Sequence, residues 1–179
     1  KMDYTAFSME NTGVNGAWKN VVSGTGIPVS ESDDHPVVEV NLTEARQFCA
    51  WLSRKDRLSY RLPTDREWSF AVGIADRESS SSSPSQLHGA ISDRFPWGEA
   101  WPPPTGSGNY GDASLARLSR FTRPVPGYND GFATTSPVMS FNANSLGIHD
   151  LGGNALEWCD DEFGTKTALL RGSSWFMGE

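Results

Sequence analysis

The stretch Leu146-Gly147-Ile148-His149-Asp150-Leu151-Gly152-Gly153-Asn154-Ala155-Leu156-Glu157-Trp158-Cys159 sets two carboxylates, Asp150 and Glu157, around a glycine turn. Such a turn opens main-chain carbonyls toward one point. A hard cation such as Ca²⁺ takes roughly six to eight oxygens, mixed between side chain and main chain, on a flexible loop. The competing reading is that the two carboxylates only hydrogen-bond turn amides. Spacing alone does not separate the two, so the flanking sequence has to.

Upstream, Thr64 is a good helix N-cap, and Glu67 three residues later completes a capping box. This predicts a helix from Asp65 to about Val72 that buries Trp68 and Phe70-Ala71. Asn41 or Thr43 caps an earlier helix over about 43–55, with Ala45, Phe48, Cys49 and Trp51-Leu52 at helical spacing. Residues 2–12 read as a short helix with Tyr4, Phe7 and Met9 inward. His35 to Val40, Pro137-Val138 and Leu146 to Ile148 read as short strands, and Leu169 to Phe176 as a final strand. Glu157-Trp158-Cys159 is a strand or short helix, followed by an acidic turn at Asp160-Asp161-Glu162. Residues 76–93 contain five consecutive serines and read as a mobile surface insertion. Phe95-Pro96-Trp97-Gly98 is a tight aromatic turn, and 102–135 is loop. The organisation is one α+β domain over 1–179. Lys1 to Phe7 starts in mid-helix and the last strand has no partner, so a fragment of a longer protein is expected.

Composition narrows the classes. With 18 glycines, 11 prolines and 37% hydrophobic residues, the chain suits a loop-rich fold better than a helical bundle. Seven Trp and nine Phe supply the core where regular elements are few. A net charge of −7 argues against nucleic acid or an anionic membrane and leaves cations as partners. No apolar run reaches the ~20 residues that span a bilayer. Two cysteines, Cys49 and Cys159, do not make a disulfide framework; buried free thiols are expected, with a single bridge as the alternative.

Four motifs in order carry a resemblance: Arg61-Leu62-Pro63-Thr64-Asp65-Arg66-Glu67-Trp68, Phe95-Pro96-Trp97-Gly98, the glycine turn above, and Arg171-Gly172-Ser173-Ser174-Trp175. From residue 2 onward the chain resembles the formylglycine-generating enzyme (sulfatase-modifying factor) superfamily. The resemblance implies a C-type-lectin-like α+β fold, with two helices packed on small twisted antiparallel sheets. It also implies two calcium sites. The first would use the side chains of Asn109 and Asp130 with main-chain oxygens of Tyr110 and Phe132. The second would use the side chains of Asp150 and Glu157 with main-chain oxygens of Gly153 and Ala155. Hard oxygen donors and no nearby thiolate suit Ca²⁺ better than Zn²⁺.

Catalysis is where the chain departs from the pattern. Active members are expected to hold copper on two cysteines five residues apart, beyond the Gly-Ser-aromatic strand. Here Met177 matches the first, and the second falls past Glu179. A thioether has no thiol proton to lose and cannot form the mixed disulfide that attaches a substrate cysteine. Leu156 stands where the oxidase pattern has a tryptophan, while Ser174 matches the serine of the oxygen pocket. His35, His88 and His149 include no close pair, so a histidine-bound iron site is not expected either. Arg61, Asp65, Arg66 and Glu67 are expected as ion pairing around the Leu-Pro-Thr turn. The residues therefore lead to a calcium-stabilised binding or sensory module of a larger, bacterial-type protein, similar to the kinase-associated branch. Copper is not expected, and the extracytoplasmic side is favoured if the host is membrane-anchored. The partner, protein or small molecule, is left open, and so is a purely structural role. The alternative is a copper-dependent oxidase converting a sulfatase cysteine to formylglycine. Trp97 and Trp101, beside Pro102-Pro103-Pro104, form either a contact patch or buried packing.

Overall fold

Thr64 and Asn41 set the helices as their chemistry requires. The structure, a computed structural model, describes residues 28–38, 40–117, 124–163 and 167–178. The helix expected over 2–12 lies outside them. Helix α1, Leu42–Asp56, starts at a capping box in which the Asn41 side chain accepts from the Glu44 amide and Glu44 accepts from that of Asn41. Helix α2, Asp65–Val72, repeats the device with Thr64 and Glu67, and ends at Gly73 in the left-handed region (φ 89°). Two single-turn helices follow: α3, Pro84–Leu87, inside the serine-rich segment, and α4, Ala113–Ala116, capped by Asp112. Sequence periodicity is too short to reveal either.

The sheet has two antiparallel strands, β1 (Glu157–Glu162) and β2 (Ala168–Arg171), with Glu157 opposite Arg171 and Cys159 opposite Leu169. Asp160-Asp161-Glu162, expected as a turn, belongs to β1. An irregularity between Cys159 and Glu162 shifts the register and lets an acidic run stay in a strand. The final strand stops at Arg171, because Gly172 takes φ 83°. Phe95 and Gly98 form an isolated bridge, as the aromatic turn predicts.

Three strands read from the sequence are absent among the described residues. In 35–38 and 40, carbonyls go to side chains instead of a ladder: Ser30 Oγ donates to the Pro36 carbonyl and Trp158 Nε1 to that of Val40. Leu146 to Ile148 is a turn closed by Asn144, whose Oδ1 accepts from both the Leu146 and Ile148 amides. Pro137-Val138 opens a turn in which Ser140 N–H reaches the Pro137 carbonyl.

The main core lies between α2 and the sheet: Trp68, Val72, Ile74, Leu151, Cys159 and Leu169, with Ala71, Ile91 and Phe163 against it. Phe70, expected inside, is 65% exposed; Trp68 and Val72 already fill the one face that α2 presents to the sheet. No residue of α1 is fully buried, and Phe48 is 41% exposed. The start of α1 is tied to the sheet through polar contacts. Trp158 Nε1 donates to Val40 O, and Arg46 pairs with Asp160 at 2.7 Å. A second cluster, Tyr110, Val125 and Tyr128 with Trp97 against it, underlies the long loops. Cys49 and Cys159 are both free thiols, with Cys159 buried. Among the described residues no helix is long and apolar enough to cross a membrane.

Candidate functional site

The two loops expected to hold cations meet at one buried asparagine. Asn154 is 2% exposed and left-handed (φ 69°). Its amide donates to the Asn109 carbonyl at 2.8 Å. Its Oδ1 accepts from Ser136 N–H at 2.9 Å and from Asn109 Nδ2 at 3.2 Å. The Gly-Gly-Asn run marks a turn in the sequence, but nothing there shows that the asparagine clamps two distant loops. Beside it, a Cβ on Gly153 would stand 2.7 Å from the Asn109 carbonyl oxygen, so the close approach needs glycine.

In the first loop, Asp130 accepts from the Tyr110 amide at 2.9 Å through one oxygen and from the Phe132 amide at 2.8 Å through the other. This brings together Asn109, Tyr110, Asp130 and Phe132. Asn109 is fully buried; its Nδ2 donates to Thr134 O at 2.7 Å, and its Oδ1 has no partner. Burial pushes the Asp130 carboxyl up to about 6. Asp112, absent from the sequence-based set, supports the loop: one oxygen caps α4 and the other accepts from the Asp130 amide at 2.8 Å.

In the second loop, Asp150 is left-handed (φ 58°) and its Oδ2 accepts from Met139 N–H at 2.8 Å. Its Oδ1 is buried without a partner. Glu157 Oε2 accepts from Trp68 Nε1 at 2.6 Å, which ties β1 to α2. Burial, with a contribution from the charge of Asp150, pushes the Glu157 carboxyl up to about 7. Turn amides thus take part of the capacity of Asp130 and Asp150, as the simpler reading of these carboxylates requires. A carboxylate has about four lone-pair sites, however, and those bonds leave some free.

The residues fit calcium on the atoms they leave unmet. An unpartnered buried acceptor costs about 1–3 kcal/mol, and each loop holds one on an expected ligand, Asn109 Oδ1 and Asp150 Oδ1. All are hard oxygens. Among the described residues no group of three His, Cys, Asp or Glu suits a metal, so any cation here leans on amide and main-chain oxygens.

Of the positions compared with the oxidase pattern, Ser174 and Met177 lie beyond β2 and Leu156 immediately precedes β1. Ser174 and Met177 close one turn through Met177 N–H to Ser174 O at 3.0 Å, and Met177 O accepts from Gly111 N–H at 2.9 Å. The Met177 side chain is 48% exposed and that of Leu156 is 38% exposed. Trp175 N–H donates to Asn154 O, which joins this turn to the loops of Asn109 and Asp150. The histidines stand apart: His35 Nδ1 meets Thr135 Oγ1, His149 Nδ1 meets Phe141 O, and His88 lies edge-on to Phe163. Around the Leu-Pro-Thr turn, Arg61 forks onto both oxygens of Glu67 at 2.7 and 2.6 Å. Asp65, in contrast, turns inward to Arg171 at 3.2 Å.

The model of the sulfatase-modifying factor enzyme 1-like domain matches residues 2–178. The chain is 30% identical over 157 residues to the inactive C-alpha-formylglycine-generating enzyme 2 of Bos taurus, covering 86% of this chain and 42% of that one. It is 29% identical over 149 residues to the formylglycine-generating enzyme of Thermomonospora curvata, covering 83% and 40%. It is also 29% identical over 130 residues to the serine/threonine-protein kinase pkn1 of Chlamydia caviae, covering 73% of this chain and 14% of the kinase. The chain thus spans about two fifths of the first two relatives. Among solved structures, PvdO from Pseudomonas aeruginosa superposes with TM-score 0.55 at 22% identity, covering 83% of this chain and 53% of that one. CarF superposes with TM-score 0.52 at 23% identity, covering 84% and 60%. These two likenesses concern the fold.

Proposed function

The chain belongs to the sulfatase-modifying factor enzyme 1-like family, and from that premise we propose that it is a calcium-stabilised domain that binds rather than oxidises. The observation that carries this reading is Met177, where a family oxidase needs a copper-binding cysteine. A thioether can bind Cu(I), but it cannot accept a substrate cysteine in a mixed disulfide. Leu156 in place of a tryptophan weakens the oxygen pocket further. Ser174 is retained, but it also belongs to the Gly-Ser-aromatic motif of the fold, so its presence alone does not argue for chemistry.

The host is a larger protein, with this domain as its sensory or binding part. The partial coverage of the relatives supports that reading, as does the match to a short portion of a protein kinase. The extracytoplasmic side suits such a domain, where calcium is plentiful enough to keep loop sites filled. A C-type-lectin-like scaffold suits the role because its loops can vary over a fixed core.

The test is an oxidation assay. A sulfatase-derived cysteine peptide, incubated with the protein, copper and oxygen, is expected to be recovered unchanged by mass spectrometry. Formylglycine in the product would restore the oxidase reading.

A further inference from the structure

Beside the Arg171 end of β2 lies a cavity of about 420 Å³, bounded by α2, the segment 74–94 and the aromatic turn. That volume is within the range of small-molecule sites, roughly 300–1,000 Å³. Aromatic rings form much of its wall. Phe95 stacks on Trp97 (4.9 Å, 5°) and tilts against Trp101 (5.3 Å), and Trp97 meets Tyr110 edge-on at 5.5 Å. Trp101 is 47% exposed, so part of its ring is open to contact. None of the residues whose side chains are expected on calcium lines the cavity, and neither do Leu156, Ser174 and Met177.

Three charged side chains, Glu78, Arg94 and Arg171, reach the wall, and each already has an opposite charge to answer it. Arg171 lies 3.2 Å from Asp65. It also donates to Ser69 Oγ at 3.0 Å, and that hydroxyl donates in turn to Glu78 Oε1 at 3.0 Å. Glu78 is thus tied to Arg171 through one hydroxyl. Arg94 pairs with Glu99 at 3.2 Å. Among the described residues no charge on the wall is left over to select an ion of either sign. An ion entering the cavity would shed water and gain no counter-charge, which is costly. A neutral guest avoids that cost.

One polar demand remains on the wall. Glu78 keeps its second oxygen, Oε2, buried and without a hydrogen-bond partner. A carboxylate oxygen only accepts, so what it lacks is an N–H or O–H. Flat rings packed edge-on or offset against Trp97 and Trp101 gain more than their buried area alone provides.

We infer that this cavity binds a small neutral aromatic molecule carrying a hydrogen-bond donor, its ring against Trp97 and Trp101 and its N–H or O–H toward Glu78. This deepens the binding-module reading by naming a ligand class, and it rests on that reading. The loops expected to hold calcium and the cavity share only Tyr110, through its main-chain oxygen and its ring respectively.

The neutral probes are 3-methylindole and 1,3-dimethylindole, which share a ring and differ in the N–H donor. Indole-3-acetate and protonated tryptamine are the charged counterparts. Each is titrated calorimetrically into the calcium-loaded protein. 3-Methylindole is expected to bind about tenfold more tightly than 1,3-dimethylindole, the size of a hydrogen bond to a charged acceptor. Both ions are expected to bind more weakly than 3-methylindole. Glu78→Met, which keeps the bulk and removes the acceptor, is expected to bring 3-methylindole down to the affinity of 1,3-dimethylindole. The same variant is expected to leave 1,3-dimethylindole within about twofold. Trp101→Ala is expected to weaken both neutral probes alike. Equal binding of the two neutral probes overturns the inference, and so do tighter binding of either ion, an unchanged N–H preference in Glu78→Met, or no saturable heat with 3-methylindole. If circular dichroism shows Glu78→Met unfolded, the four probes on the unaltered protein decide alone. Melting the same sample with and without chelator separates the two failures. A missing indole site with an intact calcium response overturns this inference and leaves the calcium domain standing.

Discussion

At the scale of single residues, the calcium reading rests on a few oxygens. Asp150→Ala removes one unmet acceptor and one bond to Met139. Without calcium the two changes oppose each other, the lost bond costing about 1 kcal/mol and the relieved acceptor returning a similar amount, so little net change in stability is expected. With calcium the variant is expected to lose most of its calcium-dependent rise in melting temperature, read by calorimetric scanning; an undiminished rise would remove Asp150 from the site. Glu157 gives a pH signature. Its carboxyl is pushed up to about 7 from an ordinary 4.5, so the folded metal-free chain keeps a proton that the unfolded chain releases between those values. Metal-free stability is therefore expected to fall as pH rises through that window, and calcium, by displacing the proton, to flatten the profile. Melting curves in chelator and in calcium at about pH 5 and about pH 8 read this; a metal-free profile that climbs with pH contradicts it. Gly153→Ala, with its Cβ 2.7 Å from a carbonyl oxygen, is expected to cost about 1–3 kcal/mol in chemical denaturation. The positions expected as ligands were found through turn motifs, and the structure brings Asn109, Tyr110, Asp130 and Phe132 together as that spacing suggests. Asn154 and Asp112 were not found, since a clamp between loops 45 and 18 residues away leaves no local pattern.

Among the elements, those with local start and stop chemistry could be read and those defined by partners could not. Thr64, Glu67 and Gly73 delimit α2 within a few residues of each other, and the helix follows. Thr64→Ala is expected to cost about 1 kcal/mol. Phe70→Ser, at a site 65% exposed, is expected to stay within about 0.5 kcal/mol of the parent. A larger loss from Phe70→Ser in urea denaturation would mean that its ring is covered. The failed strands at 35–38 and 146–148 show the opposite case. Alternating or apolar residues met no neighbouring strand, and the side chains of Asn144 and Ser30 offered the backbone other partners. The register irregularity in β1 was equally invisible, because two adjacent aspartates read locally as a turn.

For the molecule as a whole, the described residues show long loops joined through two small clusters and one two-stranded sheet, which leaves much of their order to polar contacts. Family membership and the α+β plan were open to reading because four motifs recur in order along the chain. The cavity was not, because its aromatic turn, α2 and β2 come from three separate parts of the sequence. Cations held by the two loops would act on global stability. At one hundred times its dissociation constant, a single ion adds about 2.7 kcal/mol. For a domain of this size that corresponds to roughly 5–10 °C in melting temperature. Chelation is expected to lower the melting temperature by an amount of this order. The most direct measurement is calorimetric titration of the chelator-stripped protein with calcium chloride. Saturable uptake of two ions per chain is expected, and a titration without saturable uptake would rule calcium out of both loops.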